Sequence, residues 1–231
     1  MDFKRTLTIL ALAASASAAA DDVAEWQFDV LLDDKKIGYH SFNLSRNGGE
    51  QVLETEASFD VKVLFITAFR YRHENVEVWK NGCLAKMSAK TNSNGKELSV
   101  EGRVEADRFE VDRTEGVETL GSCVQSFAYW NPAILGSSQL LNSQTGEYED
   151  ISVKTEDDEQ VLVDGTPVGA QRYTLTAKGG DIKLWYAKDD GRWLSLEAPA
   201  KGGRTIRYEP VAIPEPQTFG QFTARSDNNV R

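Results

Sequence analysis

From Trp26 the chain alternates. Trp26, Phe28, Val30 and Leu32 fall on one face of an extended segment and Gln27, Asp29 and Leu31 on the other, the period of two that a half-buried strand requires. Asp33-Asp34-Lys35-Lys36 turns the chain. A second strand over 37–45 carries its apolar residues first at odd positions (Ile37, Tyr39) and then at even ones (Phe42, Leu44), so a bulge is expected near Gly38. Asn47-Gly48-Gly49 is a hairpin signal, and 51–61 answers it with Leu53, Thr55, Ala57, Phe59 and Val61 on one face. The same pattern continues over 71–79, 83–91, 97–105 and 109–111, punctuated by Lys80-Asn81-Gly82, Asn92-Ser93-Asn94-Gly95 and Ala106-Asp107.

A second block begins after Gln144-Thr145-Gly146. It holds strands at 148–154, 161–163, 169–177, 181–187, 193–198 and 205–209, with an acidic bend expected at Glu156-Asp157-Asp158-Glu159. Strands joined almost everywhere by short hairpins make a meander. About eleven of them favour an all-β, mainly antiparallel fold: a strongly curved sheet or open barrel rather than a flat sheet.

Two stretches break the alternation. VKVLFITAF, residues 61–69, reads as a strand buried on both faces, with a helical plug or an exposed ligand-touching loop as the alternatives that periodicity leaves open. GSCVQSFAYWNPAILGSSQLL, residues 121–141, separates the two strand blocks and reads as a short helical or loop lid for the concave face. Asn131-Pro132 suits a fixed turn within it, because the residue before proline is pushed out of helical geometry.

The first twenty residues carry Lys4 and Arg5, an apolar run from Leu7 to Ala14, and A-x-A exits ending at Ala18 and Ala20. This is the order of a cleavable secretory signal peptide, so a periplasmic or secreted protein is expected, with one β-rich domain over 21–210 and a flexible tail over 211–231. No later run approaches the roughly 18 apolar residues of a transmembrane helix. The chain's 36 acidic against 26 basic residues give −10, and −11 once Asp2, Lys4 and Arg5 leave with the leader. Such a surface repels phosphate backbones, so nucleic acid is not an expected partner. Cys83 and Cys123 are the only cysteines, and in an oxidising compartment they are expected to form one disulfide.

Catalytic signals are absent from the residue pattern. His40 and His73 are the only histidines, and neither they nor the cysteines show zinc-ligand spacing. His73 and Glu77 are four apart, but HENVE lacks the second histidine of a metalloprotease helix and lies on a strand. No G-x-S-x-G elbow occurs, and no carboxylate pair stands out from the wet faces of the strands. A non-enzyme without metal or cofactor is the expectation. The candidate binding residues are aromatic: Phe65, Phe127, Tyr129 and Trp130, lining an apolar cavity beneath the lid.

FDVLLDDKKIGYHSF, SCVQSFAYWNPAIL and LWYAKDDGRWLSLEAPAKGGRTIRYE together resemble an uncharacterised family of exported bacterial proteins, the domain of unknown function numbered 6134, from about Trp26 to Tyr208. In outline the chain is similar to periplasmic lipoprotein carriers and outer-membrane receptors of the Lol type. That likeness implies an open barrel of about eleven strands with a lid over a lipid-binding cavity, and it assigns no catalytic residues. The leading expectation is therefore an apolar ligand, a lipid or lipidated envelope component, held in the concave sheet. The alternatives are an envelope interaction factor that docks a partner protein through the 61–69 run on a fully packed barrel, and a carboxylate-dependent hydrolase.

Overall fold

The computed structural model describes residues 23–47, 49–63 and 66–223. The leader expected over 1–20 lies outside them, as do Leu64 and Phe65. The first block is an unbroken antiparallel meander: β1 (Val23–Leu32), β2 (Lys35–Asn47), β3 (Glu50–Val63), β4 (Ile66–Lys80), β5 (Cys83–Ser93), β6 (Lys96–Glu105), β7 (Arg108–Arg113) and β8 (Gly116–Thr119). A small hairpin, β9 (Gln139–Leu141) with β10 (Tyr148–Asp150), follows the central insert. The second meander is β11 (Ser152–Val163), β12 (Thr166–Ala177), β13 (Gly180–Ala187), β14 (Trp193–Ala200) and β15 (Arg204–Ala212).

The two meanders fuse where β15 pairs with β1, Val30 opposite Tyr208 and Leu32 opposite Ile206. One 13-stranded sheet results, running from β11 at one edge to β8 at the other. The two edge strands do not pair with each other, so this is a curved sheet and not a closed barrel.

The local chemistry explains the turns. Asn81-Gly82, Asn94-Gly95 and Asp164-Gly165 all have positive φ at both positions, the geometry that two-residue hairpins require and that Asn, Asp and Gly accept most readily. The expected bulge exists: Val30 pairs with Gly38 but Leu31 with Lys36, leaving Ile37 over. Gly38 is fixed by space, since a Cβ there would lie 1.8 Å from the Ser58 carbonyl oxygen.

The alternating face of β1 is buried throughout, with Trp26, Phe28 and Val30 inaccessible. This face joins one large core with Leu44, Leu53, Trp79, Leu84, Phe109 and Trp193. A second, smaller core holds Ala170, Trp185, Ala187 and Leu194. The C-terminal half of β13 and the N-terminal half of β14 are covered on both sides, which is why LWYA and WLSL read as continuous apolar runs.

The expected all-β, mainly antiparallel curved sheet is present, with thirteen strands in the main sheet and two in the small hairpin among the described residues where about eleven were expected. Three expectations are corrected. The acidic stretch 156–159 is not a bend but the interior of β11, which absorbs it with a register shift between Thr155 and Asp158. The chain beyond residue 210 is not a free tail as far as Thr223: helix α1 (Pro216–Thr223) buries Phe219 and Phe222, and Phe219 packs edge-on against Trp26. Finally, the described part of the 61–69 run is not core. β3 pairs with β4 out to Val63 and Ile66, whereas β2 pairs with β3 only as far as Gly38 opposite Phe59 and β5 with β4 only as far as Ser93 opposite Tyr71. The hairpin therefore outruns its neighbours, and Ile66, Thr67, Ala68 and Phe69 are all exposed.

Candidate functional site

The segment between β8 and β11 is the piece that the sheet curves around. Its start is tied to β5 by the Cys83–Cys123 disulfide, with Cα atoms 5.0 Å apart. Beside the disulfide, the Leu84 amide donates to the Val124 carbonyl at 3.0 Å and Gln125 Nε2 to the Gly82 carbonyl at 2.6 Å. Further on, the segment folds back on itself: Leu141 N donates to Gln125 O at 2.8 Å and Phe127 N to Leu141 O at 3.2 Å. Asn131 caps a 3-10 turn at Pro132–Gly136 by accepting the Ala133 amide on its side-chain oxygen, the role that Asn ahead of an N-terminal proline suits.

Two walls hold this insert. On the β4 side, Glu77 is buried and receives Asn75 Nδ2, Trp79 Nε1 and Ser126 Oγ, each at 3.0 Å. Burial raises the Glu77 pKa, and the three hydrogen bonds work against that rise. Tyr71 donates to Gln144 Oε1 at 2.9 Å. On the β13 side, the Tyr186 hydroxyl donates to the Tyr129 carbonyl at 2.9 Å.

Of the four expected ligand-binding residues, Phe65 lies outside the described residues and the other three share the insert. Phe127 and Tyr129 are half-buried, their rings 6.3 Å apart. Trp130 is 3% exposed and meets Trp79 edge-on at 5.9 Å, in a core it shares with Ile134, Leu140 and Leu141. The insert thus occupies the concave side with its own side chains.

Open space lies along the insert's flank. A cleft of about 300 Å³ separates the 3-10 turn from β12 and β13. Pro132 and Leu135 form one wall, Tyr173, Tyr186 and Ala187 the other, and Gln171, Lys188 and Gly191 complete the lining. Lys188 is held there by an ion pair with Asp158. A larger groove of about 530 Å³ has the opposite character. Arg113, Glu118, Glu147, Glu149, Asp150 and Lys178 line it together with Tyr148, and its basic groups are already paired, Arg113 with Glu118 at 3.0 Å and Lys178 with Glu147 at 2.8 Å.

The two histidines face the same interior, in one cross-strand row with Ala57 between them. His40 Nδ1 is 2.9 Å from the Tyr208 hydroxyl, and His73 Nδ1 is 2.8 Å from Thr91 Oγ1, with Ser143 at 3.4 Å from its Nε2. Burial pushes their pKa values down to about 3 for His40, where His73 adds to the effect, and to about 4 for His73. The ring partners among the described residues are hydroxyl groups, of Tyr208 for His40 and of Thr91 and Ser143 for His73. Among the described residues no group of three or more His, Cys, Asp or Glu is placed to hold a metal ion, and no helix is long and apolar enough to cross a membrane.

Sequence reasoning missed the cleft's second wall and the Glu77 network. The wall had a signal: LWYA is apolar on both faces. The network was masked because β4 is inverted, with His73, Asn75, Glu77 and Trp79 buried while Val76 is 41% exposed.

Comparison with known proteins agrees with this architecture. Residues 28–211 match the model of the family described as Domain of unknown function (DUF6134), and the chain belongs to that family. No curated protein matches it. Among solved structures it resembles the β-barrel-like protein of domain of unknown function DUF1849 from Brucella abortus, with a TM-score of 0.61 at 11% identity, over 84% of this chain and 98% of that one.

Proposed function

We propose that this member of the DUF6134 family is a non-catalytic binding protein of the cell envelope that holds an apolar or amphipathic molecule, such as an acyl chain, in the cleft between the insert and β12–β13. The observation that carries the proposal is the cleft itself. Its 300 Å³ stands at the lower end of the roughly 300–1,000 Å³ typical of ligand sites. Proline, leucine and tyrosine rings form its walls, while its polar groups, Gln171 and Lys188, come from β12 and the β13–β14 connection. That arrangement suits an apolar body with a polar end near Gln171 and the Lys188–Asp158 pair. The expected leader and the disulfide support an exported setting.

The test is a titration with a fluorescent fatty acid, on wild type and on Leu135→Trp, which fills the cleft from the partly exposed insert wall. Saturable uptake by wild type, lost in L135W at unchanged melting temperature, is the expected result. No saturable uptake by wild type, or equal uptake by both proteins, rejects the assignment.

A further inference from the structure

The hairpin tip is a second surface, separate from the cleft. Past the Phe59–Tyr71 pair, β3 and β4 form a two-stranded ribbon without a strand on either side. A free two-stranded ribbon is marginal in water unless something covers an apolar face, yet this one presents Ile66 at 72% and Phe69 at 37% exposure. Val61 pairs with Phe69 directly beyond the stacked rings of Phe59 and Tyr71, so the apolar stripe runs from the concave side out along the ribbon.

The charge at the tip is opposite to that of the chain. Lys62, Arg70 and Arg72 stand against Asp60 alone, a local net of +2 in a chain of −10. Arg72 and Arg70 reach back to Asp60, at 3.1 and 3.4 Å, which places the ion pairs at the ribbon's base and leaves 63–69 without a charged residue. An uncharged apolar end above a basic collar matches the layering of an anionic lipid surface, where apolar side chains enter the acyl boundary and cations meet the headgroups. A ribbon of only two strands offers its outward-facing backbone groups no ladder partners, a geometry that suits the hydrated interface better than the acyl core. Tip-to-tip pairing with a second copy of the chain is disfavoured, since both tips carry the same sign.

We infer that the β3–β4 tip docks this protein onto an anionic bilayer surface, with Ile66 and Phe69 entering the interface and Lys62 and Arg70 contacting headgroups. The test uses the protein starting at residue 21, the expected mature form, in flotation with vesicles of phosphatidylcholine alone or mixed with phosphatidylglycerol. Wild type should float with the anionic vesicles. Binding should fall at least about tenfold in Ile66→Ser/Phe69→Ser and lose its anionic preference in Lys62→Gln/Arg70→Gln, with melting temperature little changed and fatty-acid uptake unchanged, because these side chains are exposed and none of them lines the cleft. Equal binding by wild type and the serine variant overturns the inference, as does failure of wild type to bind. Self-association or retention of a protein partner that Ile66→Ser/Phe69→Ser abolishes, without vesicle binding, reassigns the tip to protein docking.

Discussion

At the scale of single residues, two buried histidines and one buried carboxylate pull stability in opposite directions. His40 and His73 are held neutral, with pKa values of about 3 and about 4 against 6.5 when unfolded. The unfolded chain therefore binds more protons below pH 6.5, and stability present above that pH is lost as pH falls toward 4, by about 1–2 kcal/mol per histidine at pH 5. Glu77 acts the other way. Its folded pKa lies above 4.5, so the native state binds the extra proton and stability falls as pH rises through that window. Thermal melts from pH 4 to 8 should show an acid limb that flattens in His40→Phe/His73→Gln. Glu77→Gln should remove the opposing slope while keeping the fold: its amide oxygen still accepts from Trp79 and Ser126, and its NH2 can donate to Asn75 Oδ1, which lacks a partner once the Asn75 amide turns over. A melting curve for E77Q as pH-dependent as wild type contradicts this account of the network. None of this was legible in HENVEVW, where the valines are the residues a binary pattern would bury.

At the scale of elements, the insert packs as core, with Trp130, Ile134, Leu140 and Leu141 buried. Trp130→Ala should cost about 3–5 kcal/mol, the range for an aromatic side chain removed from a packed interior, read from chemical denaturation. Removing the disulfide with Cys83→Ser/Cys123→Ser should cost about 4 kcal/mol for a loop of 40 residues, with the m-value retained if the insert still folds with the sheet. The strands were legible because their turns carry Asn-Gly or Asp-Gly and because one face of β1 is uniformly apolar. The insert's position was legible from its length and its place between two meanders. Its packing was not, because a segment with no period of two or 3.6 has its side-chain directions set by the walls it meets. The 61–69 run misled for a related reason: hydrophobicity states what a strand can bury but not whether its neighbours extend far enough to bury it.

At the scale of the whole molecule, fusing β15 to β1 lets two meanders share one core around a segment that comes between them in sequence. The resulting sheet resembles a β-barrel-like structure at 11% identity, so the architecture survives when nearly all side chains differ, and function must be sought in what each chain places on the concave side. Here that is a packed insert with a cleft at its flank. Native-state hydrogen exchange tests this most directly. The amides of Phe127, Leu141 and Leu84, bonded within the insert or between it and β5, should exchange as slowly as those of β1 and β2, through global unfolding. Exchange of the insert amides orders of magnitude faster than those of β1 would mean a lid that opens from an intact sheet, and would contradict the account.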